Sequence, residues 1–347
     1  MTGTVVTHTP AVARLRDIAL ACGRAAALRA AVELSVAEAL GDTPTNLIDL
    51  ATLVGAPPET LARLLRALMC HGVFAQDDDG CYVHTEESRL LREDEPGSIK
   101  YIVLWSTEPW TWELWPHLAD AIRTGDTVFT ALHGKDFFPY LHSAAPESAA
   151  VMDRAMMQSS TMSVQAIVDS LDLSGARSVA DVAGGRGHVL AALLERHPGL
   201  NGTLVDLPNA LRNVDERLRA GGALAARATV IPADARADIP PGKDVYLLKS
   251  ILDWDDESTV KTLRNVVRAA GPGARVYLVE NLIDESFQPK FSTTMDLLLL
   301  LNVGGGKHTL EGLTELIRRA GLRVDATRPV DAYLHLVACT VPAPAAE

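Results

Sequence analysis

The sequence predicts an α/β fold in which a mainly helical N-terminal half precedes a parallel sheet with crossover helices. From residue 178 onward, short runs rich in β-branched residues alternate with predicted helical segments, among them residues 209–222 and 291–301, which is the rhythm of βαβ units. The first hundred residues instead have mainly helical apolar spacing. A glycine-rich turn, "VAGGRGH", joins a strand to a helix at the start of the second half. Together these observations predict two structurally different halves.

Composition limits the classes of protein to consider. At 347 residues with 48% hydrophobic content, the chain can form one large or two ordinary domains. Its net charge of -12 disfavours a nucleic-acid partner. The apolar run Leu297–Leu301 is far shorter than the roughly 20 residues of a membrane span, and the N-terminus lacks secretory-signal features. We therefore expect a cytoplasmic protein without a membrane partner.

The cysteines give no sign of a metal site or a disulfide framework. There are four cysteines and no CxxC pair, and the histidines are not clustered. We expect reduced thiols and no bound metal.

The N-terminal half has a winged-helix pattern. Residues 10–41 are Ala- and Leu-rich on all sides of the predicted helices, so they should pack against another subunit. Residues 45–74 predict helix, Gly-Ala-Pro-Pro turn and helix, and an Asp79-Gly80 turn predicts a short hairpin. DNA binding is one interpretation, but the second helix carries only Arg63 and Arg66 and the wing tip is three aspartates. A structural or dimerisation role is favoured.

Aromatic residues concentrate in a short segment of a chain that is only 5% aromatic. Such a cluster either joins two domains or lines an apolar ligand pocket, and both interpretations stay open at this point. The aromatic residues are Trp105, Trp110, Trp112, Trp115, Phe129, Phe137, Phe138 and Tyr140, between Tyr101 and Tyr140.

The glycine turn predicts a ligand site at the end of the first strand of the sheet. Gly184, Gly185 and Gly187 let a ligand approach the backbone closely, and the helix that follows offers free N–H groups. The spacing is not the dinucleotide GxGxxG pattern. Asp181, just before the turn, would repel a pyrophosphate and suits a ligand with an ammonium group.

Two further acids end the next two strands. Asp206, 25 residues after Asp181, can accept hydrogen bonds from both ribose hydroxyls. Asp234 can accept from an adenine amino group. Any one of these acids could be a solvated strand-end residue, but three beside one glycine turn predict a nucleoside ligand carrying an ammonium group.

With these motifs the chain resembles the class I S-adenosylmethionine-dependent O-methyltransferases, in the dimeric group of plant caffeic-acid-type and bacterial polyketide and antibiotic tailoring enzymes. The resemblance covers nearly the whole chain. It is carried by the winged-helix half and by "RAMMQSS", "DVAGGRG", "LVDLP", "LLKSILDWDDE", "AAGPGARVYLVEN" and "DLLLLLNVGGGKHT". Ala183 replaces the first family glycine and should be tolerated, because alanine is the next smallest residue.

The resemblance implies a Rossmann-like methyltransferase domain with a mainly helical winged-helix dimerisation domain. Residues 1–100 would form the dimerisation domain, 101–170 the linking helices and 171–347 the S-adenosylmethionine-binding domain. A homodimer through the N-terminal helices follows, with a small-molecule substrate bound between the halves.

The resemblance also implies site residues. Those for the cofactor, S-adenosyl-L-methionine, are Asp181, Gly184, Gly185, Gly187, Asp206, Leu207, Asp234, Ala235, Lys249, Ser250 and Ser160. Those for the substrate are Trp105, Phe138, Met156, Met157, Asp253 and Asn302.

The family's usual catalytic histidine is absent. Family members typically read LK-x-x-x-H-D-W, whereas here Lys249 is followed by Ser-Ile-Leu-Asp-Trp. Counted from Lys249, Asp253 takes the histidine's place; counted back from Trp254, the histidine is deleted. The acid that orients the family's base aligns with Lys307. The remaining candidate bases are Asp253, whose ordinary pKa of ~3.9 matches a phenol near ~10 poorly unless burial raises it, and His308 or His133.

Three functional hypotheses remain. General base catalysis contributes on the order of 10²–10⁴-fold, whereas positioning can supply roughly 7–11 kcal/mol. Methyl transfer to an aromatic or polyketide-like hydroxyl, by proximity and orientation, is therefore favoured. The alternative is a changed reaction, such as hydroxylation, decarboxylation or cyclisation, on a retained cofactor site. A winged-helix regulator that senses a small ligand is the third, and the acidic wing predicts no DNA binding.

Overall fold

The computed structural model describes residues 9–343, which divide into two compact units. The N-terminal unit ends at Trp112 and also includes Pro146–Ser159, whereas the sheet unit comprises Glu113–Ala145 and the chain from Ser160 onward. The predicted linking segment, residues 101–170, is thus divided between the two units.

The N-terminal unit has the predicted order of helix, turn, helix and hairpin. Asn46 caps the fourth helix through Ile48 and Asp49 N–H groups, and Pro58 begins the fifth. Its core includes Leu50, Leu65 and Phe74. The elements are α1 (Pro10–Ala19), α2 (Ala21–Glu33), α3 (Val36–Leu40), α4 (Leu47–Val54), α5 (Pro58–Met69), β1 (Ala75–Gln76), β2 (Tyr82–Val83), α6 (Glu86–Arg89) and α7 (Lys100–Ser106).

The sheet unit begins with a short helical segment. Its helices are α8 (Pro109–Leu114), which starts in the N-terminal unit, α9 (Leu118–Thr124), α10 (Phe129–His133), α11 (Phe137–Ala144) and α12 (Pro146–Ser170), which the two units share. Then follow β3 (Ser178–Val182), α13 (His188–Arg196), β4 (Asn201–Asp206), β5 (Ala228–Pro232), β6 (Val245–Lys249), α14 (Asp256–Ala269), β7 (Arg275–Glu280), α15 (Pro289–Val303), α16 (Leu310–Arg319), β8 (Arg323–Pro329) and β9 (His335–Thr340).

The seven strands are ordered β5-β4-β3-β6-β7-β9-β8. The first five are parallel, as the alternating pattern predicts, and their carboxyl ends meet at one edge of the sheet. Strand order reverses between β3 and β6, which is where ligands bind in open sheets of this kind. The last two strands pair antiparallel, a feature not predicted; the five-residue connection between β8 and β9 is too short for a parallel crossover.

One predicted helix does not form. Residues 209–222 were expected to be helical, but they contain only the short 3-10 turns Ala210–Asn213 and Glu216–Leu218. The Asp215 carboxylate accepts from the Arg217 N–H at 3.0 Å, and such local side-chain bonds compete with helical ones. The same carboxylate contacts the ring of the distant His188 at 2.9 Å. Arg219 to Gly222 then closes a turn.

Apolar side chains fill both faces of the sheet. Helices α14 and α16 supply Leu263 and Ile317 on one face, and α12 and α13 supply Ile167 and Leu190 on the other. All four cysteines are free thiols. None of the helices within residues 9–343 is both long and apolar enough to cross a membrane.

Candidate functional site

The turn after β3 is shaped by its glycines and by Asp181. Gly185 and Gly187 have φ values of +61° and +81°, in the left-handed region that glycine adopts most readily. A Cβ on Gly184 would lie 2.4 Å from the Asp181 Cγ atom, and one on Gly187 would lie 2.6 Å from a Leu218 methyl carbon. Helix α13 then begins at His188 with its N–H groups facing the turn. The backbone therefore needs glycine at these positions.

Asp181 is a buried acid with an unsatisfied oxygen. It is 2% exposed, and its Oδ2 atom has no hydrogen-bond partner among the described residues. Burial raises the pKa of this carboxyl to about 7, against the opposing charge of Lys249. An unpaired buried carboxylate is costly, so the position suits a ligand that brings a positive charge.

Asp206 connects the glycine turn to the end of β4. Its Oδ2 accepts from the Gly185 N–H at 2.7 Å and its Oδ1 from the Leu207 N–H at 2.6 Å. Each carboxylate oxygen can accept a further hydrogen bond, so two remain for a pair of ribose hydroxyls. Burial raises the pKa of Asp206, and Asp234 adds to that rise.

Asp234 is held by a residue that the sequence analysis did not single out. Arg236 donates to both carboxylate oxygens, at 3.1 and 3.0 Å, and this lowers the pKa of Asp234. The guanidinium also lies 5.5 Å from the centre of the Trp254 ring. Ala235 is buried, and its carbonyl accepts from the Asn265 side chain at 2.9 Å. The basic residue two positions after Asp234 was the available signal.

Lys249 and Ser250 end the central strand β6. Burial lowers the pKa of Lys249, while the charges of Asp181 and Glu280 oppose that fall. Ser250 has a φ of +53° and donates its N–H to the Val279 carbonyl at 2.9 Å. The backbone therefore turns sharply between Lys249 and the residues that follow.

The two departures from the family motif contact each other. The Lys307 Nζ atom lies 2.5 Å from the Asp253 Oδ2 atom, and the two side chains are 9% and 22% exposed. The contact favours counting from Lys249, because Asp253 then meets the residue aligned with the family's acid. An acid and a cation thus stand where a histidine and an acid were expected.

Glu280 lies beneath this turn and was missed in the sequence analysis. It is 2% exposed, and its Oε1 accepts from the N–H groups of Ile251 and Leu252 at 3.2 and 3.3 Å. Burial raises the pKa of Glu280, and the charge of Asp253 raises it further. The signal available was a glutamate ending an otherwise apolar strand.

His308 and His133, the two histidine candidates, both have structural contacts. The His308 Nε2 atom lies 2.7 Å from the Leu252 carbonyl oxygen, and because a carbonyl only accepts, this nitrogen donates. The His133 ring packs 4.3 Å from Phe129 and 4.6 Å from Tyr140, between ring centres. His308 therefore holds the turn that carries Asp253, and His133 belongs to an aromatic cluster.

The predicted substrate residues are divided between the two units. In the sheet unit, Asn302 is 4% exposed and its Oδ1 has no hydrogen-bond partner within residues 9–343, and Phe138 is 45% exposed. Trp105, Met156 and Met157 belong to the N-terminal unit, and Ser160, a predicted cofactor residue, belongs to the sheet unit. The site roles of all of these residues stay predictions.

The fold is that of an α/β protein whose ligands bind at the carboxyl edge of the sheet, and the chemistry of these acids fits a nucleoside carrying an ammonium group. The glycine turn, Asp206 and the unpaired Asp181 fit S-adenosylmethionine, whose α-amino group would satisfy Asp181. When bound, that cofactor supplies a methyl group on a positively charged sulfur.

Comparisons with known proteins identify the family. The O-methyltransferase domain model matches residues 115–323, and the O-methyltransferase dimerisation domain model matches residues 17–94. The chain belongs to this family of S-adenosylmethionine-dependent methyltransferases. The dimerisation-domain match confirms the predicted homodimer.

Three relatives illustrate the range of the family. The chain is 36% identical over 323 residues to the mitomycin biosynthesis 6-O-methyltransferase of Streptomyces lavendulae, covering 92% of this chain and 91% of that one. It superposes with a TM-score of 0.76 on the neocarzinostatin O-methyltransferase NcsB1, solved with S-adenosylmethionine and 2-hydroxy-5-methyl naphthoic acid, at 32% identity over 91% and 95% of the two chains. It is also 32% identical to the aclacinomycin 10-hydroxylase RdmB of Streptomyces purpurascens, over 87% and 82% of the two chains.

Proposed function

We propose that the protein transfers a methyl group from S-adenosylmethionine to a hydroxyl of a small aromatic or polyketide-like metabolite in antibiotic biosynthesis. The arrangement of Asp181, Gly185 and Asp206 around one turn is the observation that carries the proposal. Asp181 binds the α-amino group, Asp206 binds the ribose hydroxyls and Asp234 the adenine amino group. The enzyme acts in the cytoplasm.

The acceptor class follows from the relatives and from the predicted pocket residues. Two of the relatives named above act in mitomycin and neocarzinostatin biosynthesis, and NcsB1 holds a hydroxylated naphthoic acid. In the sheet unit, Phe138 supplies an apolar contact for such a ring, and Asn302 offers a polar one. Residues 1–100 dimerise, 101–170 contribute to the substrate pocket and 171–347 bind the cofactor.

Catalysis rests on alignment of the acceptor with the methyl group. Glu280 and His308 fix the backbone from Ile251 to Leu252, which positions Asp253 beside the acceptor. Such preorganisation can lower the activation barrier by roughly 7–11 kcal/mol. A general base contributes less, a rate factor on the order of 10²–10⁴.

A changed reaction is the second candidate, because a hydroxylase is among the relatives and no histidine follows Lys249 in the expected place. Incubation of the purified homodimer with methyl-labelled S-adenosylmethionine and hydroxylated aromatic metabolites separates the two. We expect label in the product, and strongly reduced labelling with an Asp206→Ala variant when S-adenosylmethionine is limiting. Loss of the metabolite without label in any product would overturn methyl transfer in favour of a changed reaction.

A further inference from the structure

The Lys307 side chain ends in a buried ammonium group that has unused hydrogen-bond donors. An ammonium carries three N–H donors, and the Asp253 Oδ2 atom is the one acceptor that the structure gives to Lys307 Nζ within residues 9–343. The Lys307 side chain is only 9% exposed, so bulk water has little access to the remaining donors. A group in this state favours a further acceptor, and most of all a negatively charged one.

The ammonium is held in a fixed position. The Lys307 N–H donates to Asp296 Oδ1 at 2.7 Å, and a Cβ on Gly306 would lie 2.9 Å from the same oxygen. A Cβ on Gly305 would lie 1.8 Å from the Asp253 carbonyl oxygen, so the two segments pack backbone to backbone. Lys307 is thus anchored at both ends, by Asp296 at its backbone and by Asp253 at its head group.

The Lys307–Asp253 ion pair lies close enough to the predicted cofactor residues for its charges to affect them. The charges of Asp181, Lys307 and Asp253 all act on Lys249, at the end of the central strand. Strand β6, which ends at Lys249, pairs with β3, which carries Asp181. Asp253 follows Lys249 by four residues and contacts Lys307, so the Lys307–Asp253 pair lies at the same edge of the sheet as the glycine turn.

We propose that Lys307 binds the acceptor oxygen in its ionised form, so that the enzyme selects hydroxyls made acidic by conjugation with a carbonyl group. This inference rests on the proposed methyl transfer and names its substrate class. The hydroxyl proton has left to bulk water before binding. The oxyanion lone pair then forms the O–C bond as the C–S bond breaks onto sulfur, and no base is required.

Asp253 has a distinct part in this arrangement. Its carboxylate holds the ammonium in place, but its negative charge repels the incoming oxyanion that binds to the remaining N–H donors. Replacing it with asparagine should therefore strengthen oxyanion binding, whereas replacing Lys307 should weaken it. The opposite signs distinguish a charge effect from simple loss of the pair.

Two bicyclic probes of the same ring size test the inference. The hydroxyl of 2-hydroxy-1,4-naphthoquinone is ionised at neutral pH, and that of 2-naphthol is protonated. Their affinities are measured by titration calorimetry with the homodimer saturated with S-adenosylhomocysteine. We expect the quinone anion to bind roughly 10- to 100-fold more tightly than 2-naphthol, as for a hydrogen bond to a charged group.

Variants assign the preference to Lys307. Lys307→Met should abolish it, Lys307→Arg should retain it and Asp253→Asn should increase it. Lys243→Met is the matched control, because Lys243 precedes the amino end of β6, at the opposite edge of the sheet, and it should leave the preference unchanged.

Three results would overturn the inference: failure of the wild-type protein to bind the anion more tightly than 2-naphthol, an unchanged preference in Lys307→Met, or an equal fall in Lys307→Met and Asp253→Asn. S-adenosylhomocysteine affinity is measured in the same samples. A protein that binds it normally but shows no anion preference refutes the inference alone, whereas failure to bind it refutes the proposed function.

Discussion

The Gly185 N–H donates to the Asp206 Oδ2 atom at 2.7 Å, which ties the glycine turn to the end of the neighbouring strand. The same carboxylate also accepts a hydrogen bond from the Leu207 N–H. One side chain therefore both orders the turn and presents free lone pairs at the proposed ribose position.

Asp206→Ala should weaken S-adenosylhomocysteine binding by roughly 10²–10⁴-fold, because it removes two hydrogen bonds to a charged group that are each worth about 1.5–3 kcal/mol. Titration calorimetry measures the change. Asp325→Ala is the control, since Asp325 lies on the edge strand β8 and pairs with Arg323. Unchanged affinity in Asp206→Ala would remove Asp206 from the cofactor site.

Ala183→Gly should stabilise the protein by about 0.5–1 kcal/mol. Ala183 has a φ of +53°, a conformation that costs a non-glycine residue roughly 1–2 kcal/mol. Glycine avoids this cost, but it lowers the free energy of unfolding by about 0.4–1 kcal/mol because it gives the unfolded chain more conformational freedom. Urea unfolding with an unchanged m-value measures the difference. Ala180→Gly, in the middle of β3, should have the opposite sign, and destabilisation by both variants would refute the strain at Ala183.

Cofactor affinity should fall as the pH drops below about 7. Burial raises the pKa of Asp181 to about 7 from an ordinary 3.8, so the free protein holds this carboxyl protonated at lower pH, and the cofactor's ammonium group requires it ionised.

By itself, the Asp181 carboxyl also lowers the free energy of unfolding as pH rises from 3.8 to about 7, because only the folded state retains the proton there.

Calorimetry between pH 5.5 and 8 in buffers of different ionisation enthalpy tests this expectation. Binding should release a proton at pH 6 and release almost none at pH 8, and Asp181→Asn should abolish the release. Asp234→Asn should preserve it, because the pKa of Asp234 is lowered by Arg236. Release that persists in Asp181→Asn would assign the proton to another group.

His308→Gln should slow methyl transfer without changing the shape of its pH profile. The ring donates to the Leu252 carbonyl, so its replacement disturbs the turn before Asp253, and loss of one hydrogen bond costs about 0.5–1.5 kcal/mol of stability. Single-turnover rates from pH 6 to 9 measure the profile. His71→Gln, at an exposed position, is the matched control. If His308→Gln alone lost the fall in rate at low pH, His308 would be the base.

Local patterns in the sequence predicted much of the fold. The winged-helix order, the parallel strands and helix α15 follow from residue periodicity and turn residues that act within a few positions. The helix expected over residues 209–222 failed because Asp215 bonds to His188, which is 27 residues distant in sequence. Non-local contacts of this kind leave no periodic signal.

The sequence by itself determined the family, the cofactor and the three acids, because short motifs fix which groups follow each strand and parallel strands bring their carboxyl ends together. Only the tertiary structure decided that Asp253 and Lys307 meet and that Glu280 lies beneath the turn. These contacts join residues separated by 54 and by 28 or more positions, and the packing of strand ends against loops determines them. The apparent loss of a base and its acid is therefore a single ion pair, formed because a buried cation requires a carboxylate nearby.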